Sequence, residues 1–239
     1  MNISRRTPLI ILAISILILS SFAVAAQESS EGAGDSEVAT VNGESITQEE
    51  LTQATQTQQI IMSLSQQYRT FAQFLMTSEA GENFLEEYRK NVLDQLIDQT
   101  LAEQKVEEMG ITVSEDDVQS EIDSIIEENE QFESEEDLDS YLQENQKSSL
   151  DDFRSRIKES LRTEKLREEV TGEIDVTEEE VEEFYEQNKA NYTDEEGNEQ
   201  PLSEVKDQVR SSLESQKQDE AYNEWLEEVR EEADISKNL

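Results

Sequence analysis

Apolar residues recur at three- and four-residue steps through most of the chain, which is the period of an amphipathic α-helix. The clearest stripe runs from Leu85 through Val92 to Met109, and Gly110 then supplies a residue type that commonly ends a helix. Further helices are predicted from apolar positions in 118–126, 138–142, 150–170, 181–185, 202–213 and 222–229. Residues 48–76 are polar but free of helix breakers, with apolar residues clustered toward their end, so a helix is predicted there too, with an interruption near 77–81. The pattern predicts an all-α fold of about six or seven helices.

A short β-hairpin is predicted ahead of the first helix. Residues 38–46 read as a strand, an Asn-Gly pair suited to a type I′ turn, and a second strand. Thr47 and Glu50 then form the capping-box pattern that begins a helix. Because two short strands are marginal alone, we expect a third strand from residues 233–235 to join them in one small sheet.

The first 26 residues have the pattern of an export signal. A pair of arginines precedes an apolar run, and small residues at 23–26 resemble a cleavage zone. The stretch 9–26 approaches the roughly 17–20 residues that span a bilayer, so an uncleaved membrane anchor is the alternative. Residues 27–37 form an acidic linker. Both alternatives predict that the remainder of the chain lies outside the cytoplasm.

Net charge excludes several partners. The chain has 59 acidic and 19 basic residues, for a formal net charge of −40. Nucleic acid and anionic lipid surfaces are therefore repelled, and contact with a membrane is expected only through the N-terminal segment if it is uncleaved. Acids occur in nearly every segment, which favours a solvated surface adapted to a high-salt habitat, where the Debye length falls to about 3 Å at 1 M.

The missing residue types narrow the chemistry. The chain has no cysteine, so it has no disulfide and no catalytic thiol. It also has no histidine, which is the commonest general base and the commonest metal ligand in proteins. The acidic loop 194–199 has its glycine at the fourth position rather than the sixth position of a calcium loop. We predict no catalytic residue, no metal and no cofactor, which favours a binding protein over an enzyme.

One apolar cluster is a candidate binding site. It consists of Tyr68, Phe71, Phe74, Leu75, Met76 and Phe84. Helix packing is one interpretation, because apolar stripes usually serve cores. The other is an exposed surface that accepts extended segments of unfolded polypeptides, with methionine supplying adaptability.

Several motifs together resemble the SurA and PrsA family of extracytoplasmic foldases and chaperones. They are VATVNGESITQEEL at 38–51, VLDQLID at 92–98, GITVSEDDV at 110–118, IDVTEEEVEEFY at 174–185 and PLSEVK at 201–206, followed by the tail at 225–235. Each motif alone is little more than a capped helix, whereas their shared order is fairly specific. The resemblance implies a mainly helical chaperone domain over residues 38–239.

The chain departs from the family pattern between the last two motifs. Complete relatives carry a parvulin prolyl-isomerase domain there, whereas only the loop 188–200 separates the motifs here. The resemblance therefore implies an ATP-independent holdase for unfolded or newly exported client polypeptides that lacks the isomerase domain and is not an enzyme. Two alternatives stay open. One is a structural or adaptor protein at the membrane surface, and the other is a residual peptidyl-prolyl isomerase.

Overall fold

The computed structural model describes residues 36–129, 131–194 and 196–239. The helices are α1 (Gln48–Thr55), α2 (Thr57–Gln67), α3 (Arg69–Thr77), α4 (Glu79–Glu108), α5 (Glu115–Glu128), α6 (Glu135–Tyr141), α7 (Leu150–Thr171), α8 (Glu178–Asn188) and α9 (Leu202–Glu232). The strands are β1 (Glu37–Val41), β2 (Glu44–Thr47) and β3 (Ile235–Lys237). The prediction of a mainly helical fold with a small sheet is confirmed.

The predicted signal or anchor segment, and all but the end of the predicted acidic linker, lie outside the described residues. Within the described ranges, no helix is both long enough and apolar enough to cross a membrane.

The small sheet joins the two ends of the described chain. β1 lies in the middle and pairs antiparallel with both β2 and β3. Asn42 and Gly43 both have positive φ, as a type I′ turn requires. The expected C-terminal strand is confirmed, although it begins two residues later than predicted. The reason is that Asp234 is bonded to the hairpin turn, since its N–H donates to Asn42 Oδ1 at 2.9 Å and its carbonyl accepts from Asn42 N at 2.8 Å.

The main core lies between this sheet and the long helices α4 and α9. Val41 and Leu51 are buried against Leu93 and Ile97 of α4, and Val229 of α9 closes the same cluster. The capping box predicted at Thr47 is present, with reciprocal bonds to the third helical residue. The pattern that predicted α4 therefore corresponds to its buried face.

An ionic network fastens the C-terminal end to α4. Arg230 pairs with both Asp94 and Asp98, and Lys237 of β3 also pairs with Asp94. Burial would raise the pKa of Asp94, but Lys237 and Arg230 outweigh it and hold that pKa below its usual value. Burial raises the pKa of Asp98 in spite of Arg230. The pKa values of the two carboxylates are therefore shifted in opposite directions, although both pair with the Arg230 guanidinium.

The remaining helices pack in two further groups. Leu166 of α7 is buried with Ala102 and Val106 of α4, and the first half of α7 forms a separate cluster with α5 and α6. α8 packs on the first half of α9 around Val181 and Val209.

The chain between α8 and α9 is a compact turn. A short 3₁₀ segment, Lys189–Asn191, precedes an isolated bridge between Thr193 and Glu199. The Tyr185 hydroxyl donates to the Gln200 carbonyl at 2.6 Å and so ties the end of this turn to α8.

The helical stretch predicted over residues 48–76 is divided into three helices. Gln56 has a φ of 47°, in the left-handed region, and Tyr68 leaves helical geometry with φ −132° and ψ 59°. These two breaks were not predicted, whereas the expected interruption near 77–81 is present at Ser78, between α3 and α4.

Candidate functional site

The helices that follow the sheet expose many apolar side chains. We define the apolar surface as the exposed side chains of Ile60, Met62, Tyr68, Phe71, Phe74, Met76 and Phe84. Their exposed fractions run from 43% to 64%, and they are seven of the ten exposed large apolar residues in the described part of the chain. Scattered apolar residues are normal on protein surfaces, but seven of them within residues 60–84, with the Phe71 and Phe74 rings stacked at 6.4 Å, make this stretch a candidate contact surface.

The structure places the six predicted site residues in two different environments. Five of them, Tyr68, Phe71, Phe74, Met76 and Phe84, lie on the apolar surface. Leu75 is only 4% exposed and packs at the junction of α3 with α4, where its backbone closely approaches Gly81. Leu75 therefore holds α3 in place, while its neighbours Phe74 and Met76 face solvent. Sequence reasoning missed Ile60 and Met62.

A tight corner fixes α3 against α4. The Ser78 hydroxyl donates to the Phe74 carbonyl at 2.7 Å and accepts from Gly81 N at 3.0 Å, so one side chain caps the end of α3 and the start of α4. A Cβ at position 81 would lie 2.5 Å from the carbonyl oxygens of Phe74 and Leu75. The close approach of the two helices therefore requires glycine at this corner.

Six of the seven side chains of the surface lie in a stretch without acidic residues, and the seventh, Phe84, lies on α4 between Glu82 and Glu86. Of the 239 residues in the chain, 59 are acidic, yet residues 51–78 contain none and carry Arg69 as their single charge. The expectation that acids occur in nearly every segment holds elsewhere but not here. Carboxylates are costly to desolvate, so their absence lowers the cost of covering this surface. This depletion is a signal in the sequence that could have identified Ile60 and Met62.

The helices that carry the surface are weakly anchored. α2 has no buried residue, and α3 buries only Ala72 and Leu75. Neither helix has a side-chain N-cap, because Gln56 and Tyr68 make no capping hydrogen bond. Segments with few buried contacts open locally at low free-energy cost. Of the two helices, α2 is therefore the less firmly held, since α3 is fixed to α4 at the Ser78–Gly81 corner.

A second concave region lies between α7 and α9. It is a cleft of about 480 Å³ lined by Ser160, Thr163, Glu164, Arg167, Glu168, Gln218 and Tyr222. Arg167 stacks over the Tyr222 ring at 4.9 Å and pairs with Asp219. Burial raises the pKa of Tyr222. All seven lining residues are of polar or charged types, whereas the apolar surface consists of aromatic, isoleucine and methionine side chains.

The acidic side chains do not gather as metal ligands in the part of the chain that is described. No group of three or more converges on a position that could hold a metal ion there. In the loop predicted to resemble a calcium site only superficially, the Asp194 carboxylate accepts from the N–H groups of Glu196 and Asn198 at 2.9 and 2.8 Å. These bonds hold a turn and lower the pKa of Asp194.

Comparison with known proteins shows which fold and family this chain resembles. A solved structure described as a SurA-like chaperone of Campylobacter jejuni has the same fold, with a TM-score of 0.59 and 14% identity over 85% of this chain and 99% of that one. The fold is thus that of a SurA-like chaperone. The sequence profile of the SurA-like N-terminal domain matches residues 1–167, more than half of the chain, and the protein belongs to that family.

Curated relatives carry the name foldase protein PrsA. The protein from Clostridium kluyveri is 27% identical over 177 residues, which cover 70% of this chain and 50% of the relative. The protein from Clostridium botulinum strain Okra is 26% identical over 200 residues, covering 80% of this chain and 56% of the relative. The chain therefore spans about half the length of the curated relatives it matches.

Two expectations from the sequence are wrong. The profile of the PPIC-type peptidyl-prolyl isomerase domain matches residues 176–238, so the chain does not lack a segment of that domain family. The same match, with the foldase relatives, contradicts the expectation of a non-enzyme. The expectation rested on the absence of histidine and on the short connection at 188–200. Neither feature tests membership of the domain family, whose matched segment here comprises α8, α9 and β3.

Proposed function

We propose that this protein is an extracytoplasmic chaperone or foldase that binds unfolded client polypeptides on the apolar surface. The observation that carries the proposal is the cluster of exposed aromatic and methionine side chains within the acid-free stretch 51–78 and the start of α4. Its SurA-like family and its PrsA relatives support the same class of function. A location outside the cytoplasm agrees with the export signal predicted at 1–26.

Binding at this surface would be weak and reversible. Complete burial of a phenylalanine side chain contributes about 1.5–3 kcal/mol, and Phe71 and Phe74 are already about half covered. A few such contacts only offset the cost of association, which is about 4–15 kcal/mol. Release then follows from low affinity and from folding of the client, without a nucleotide. The methionines and the weak anchoring of α2 let one surface accept different sequences.

The test replaces Phe71 and Phe74 by serine in the purified protein. The control is Tyr141→Ser, because Tyr141 is an exposed aromatic outside the surface, on α6. Light scattering would follow aggregation of several unrelated unfolded clients, with circular dichroism as a check of folding. We expect the double variant to lose suppression of aggregation while its helicity and melting midpoint stay close to those of the parent and the control.

Three outcomes would count against the proposal. Unfolding of the double variant, at about 3–5 kcal/mol for each truncated core aromatic, would mean that the two rings serve packing. Full suppression by a folded double variant would place client binding elsewhere. Suppression limited to one client would favour the adaptor alternative, in which the helices serve a fixed partner at the membrane surface.

Peptidyl-prolyl isomerisation is a second candidate activity, favoured by the match of residues 176–238 to the PPIC-type domain. The uncatalysed barrier is about 18–20 kcal/mol, so isomerisation takes tens of seconds or longer and is readily measured. A proline-peptide assay would test it, and a rate that rises in proportion to protein concentration would support it. A rate equal to that of buffer at all protein concentrations would leave the holdase activity alone.

The extent of the functional unit is also open to direct test. We take residues 38–239 as one chaperone unit with 188–200 as a surface connection, since β3 from the C-terminal end completes the N-terminal sheet. Limited proteolysis should leave this unit intact. Mass spectrometry of the native protein would distinguish cleavage near residue 26 from an uncleaved anchor at 9–26.

A further inference from the structure

The apolar surface is bordered by acidic residues, although it contains none. On the α4 side, Glu82 is exposed, and Glu87 follows Phe84 by three residues and therefore lies on the same side of the helix. Glu87 is 68% exposed and shares Lys90 with Glu86, so this border keeps a net negative charge. Arg69 is thus the one charged residue within the stretch 51–78, and exposed glutamates lie beside the surface on the α4 side.

We propose that the apolar surface selects client segments in which aromatic or aliphatic residues are flanked by lysine or arginine, and disfavours segments with acidic flanks. This inference rests on the proposed client-binding function and adds the chemical class of segment. The centre of the segment covers the phenylalanines without desolvating a carboxylate. Its basic flanks then lie beside Glu82 and Glu87, whereas acidic flanks would meet like charge.

Charge also argues against other occupants of this surface. A second copy of the chain would bring another net charge of −40 to the contact, and repulsion between like charges opposes that association. An anionic membrane is repelled for the same reason. A cationic apolar polypeptide segment is the partner whose charge complements the border and whose side chains complement the centre.

The test uses three labelled peptides that share one central aromatic sequence and differ only in their flanks, which are lysine, serine or glutamate. Fluorescence anisotropy would measure their affinity for the full purified protein at two salt concentrations at which circular dichroism shows it folded. At the lower salt we expect the lysine peptide to bind on the order of tenfold more tightly than the glutamate peptide, with the serine peptide between them. At about 1 M salt the three affinities should converge to within about twofold.

A variant pair locates the effect. Glu82→Gln with Glu87→Gln should reduce the preference for lysine flanks by about half or more and leave the affinity for the serine peptide unchanged. Glu127→Gln with Glu128→Gln makes the same change in net charge at the far end of α5, where both residues are exposed, and should preserve the preference. An equal loss in both pairs would mean that overall charge, not the border, is responsible, and would overturn the proposal.

Each remaining outcome has a separate meaning. If no peptide binds, the proposed client-binding function fails. If the serine peptide binds but the flanks make no difference, the proposed function stands and the inference about flanks fails. If the lysine peptide still binds Phe71→Ser with Phe74→Ser, the acidic surface alone is the site and the inference fails. If sedimentation shows a dimer that this double variant dissociates, a second copy occupies the surface and the inference likewise fails.

Discussion

Substitution of Gly81 by alanine tests how the apolar surface is held. Helix propensity alone predicts that alanine stabilises α4 by up to about 1 kcal/mol relative to glycine. The structure predicts the opposite local effect, because the new Cβ would lie 2.5 Å from two carbonyl oxygens at the end of α3 and 2.6 Å from Leu75 Cα. Overpacking of this kind costs about 1–3 kcal/mol. The atoms in the way belong to the backbone, so a change of rotamer cannot relieve the contact.

The cost should appear as displacement of α3 rather than as global unfolding. α3 buries only Ala72 and Leu75, whereas the sheet and the middle of α4 belong to a separate, larger cluster. We therefore expect Gly81→Ala to melt within a few degrees of the parent while α2 and α3 lose protection from hydrogen exchange. Affinity for clients should change with them, because Phe71 and Phe74 move with α3.

Hydrogen exchange with mass spectrometry over residues 57–77 is the assay. Asn83→Ala is the matched control, because it makes the same Cβ-only side chain in the same part of α4 at an exposed position. Unchanged exchange in Gly81→Ala, together with a higher melting midpoint, would show that propensity outweighs the contact and that the corner is not tight. Global unfolding would show that α3 is part of the main core.

Three further outcomes follow from charge and from the sheet. The melting midpoint should rise between about 0.01 M and 1 M potassium chloride, since screening relieves the self-repulsion of a chain at −40, and an unchanged midpoint would remove the high-salt argument. Hydrogen bonds from Lys217 and from Thr177 lower the pKa of Glu180 from 4.5 to about 2, so the stability that this carboxylate adds to α8 is present above pH 4.5 and is lost as the pH falls towards 2. In Glu180→Gln the melting midpoint should therefore depend less on pH between 4.5 and 2 than in the parent. The same pH dependence in parent and variant would contradict the assignment. Deletion of residues 235–239 removes β3 and the Lys237–Asp94 pair and should lower the free energy of unfolding by about 2 kcal/mol. Deletion of the exposed Leu239 alone is the control. Equal stability of the two deletion variants would mean that β3 is dispensable.

The long helices could be predicted from the sequence because their buried faces repeat strictly. Leu93, Ile97 and Leu101 are one such face, and all three are fully or almost fully buried. The breaks at Gln56 and Tyr68 could not be predicted, since neither residue type interrupts helices by itself. Gln56 is exposed and follows Thr55, whose carbonyl accepts a hydrogen bond from the Tyr88 hydroxyl of α4 at 3.0 Å, a tertiary contact that a propensity argument does not contain.

The missed breaks explain why the candidate site was only partly predicted. Without the start of α3, the phase of the helix is unknown, and adjacent residues such as Phe74 and Leu75 cannot be assigned to opposite environments. The aromatic residues of the candidate site could be predicted because they cluster in the sequence between Tyr68 and Phe84. The absence of acids from residues 51–78 was also readable in the sequence and marks Ile60 and Met62 together with them.

This protein combines a net charge of −40 with a cluster of exposed apolar side chains. Six of the seven exposed side chains of the apolar surface lie within residues 57–77, where α2 and α3 bury only Ala72 and Leu75, while the sheet, α4 and α9 share a separate core cluster. An exposed apolar surface normally promotes aggregation. The net charge of −40 over the whole chain opposes contact between copies, and the stretch 51–78, where client binding is proposed, contributes no carboxylate to that charge. In the proposed function, solubility would therefore rest on the acidic parts of the chain and client binding on the acid-free stretch.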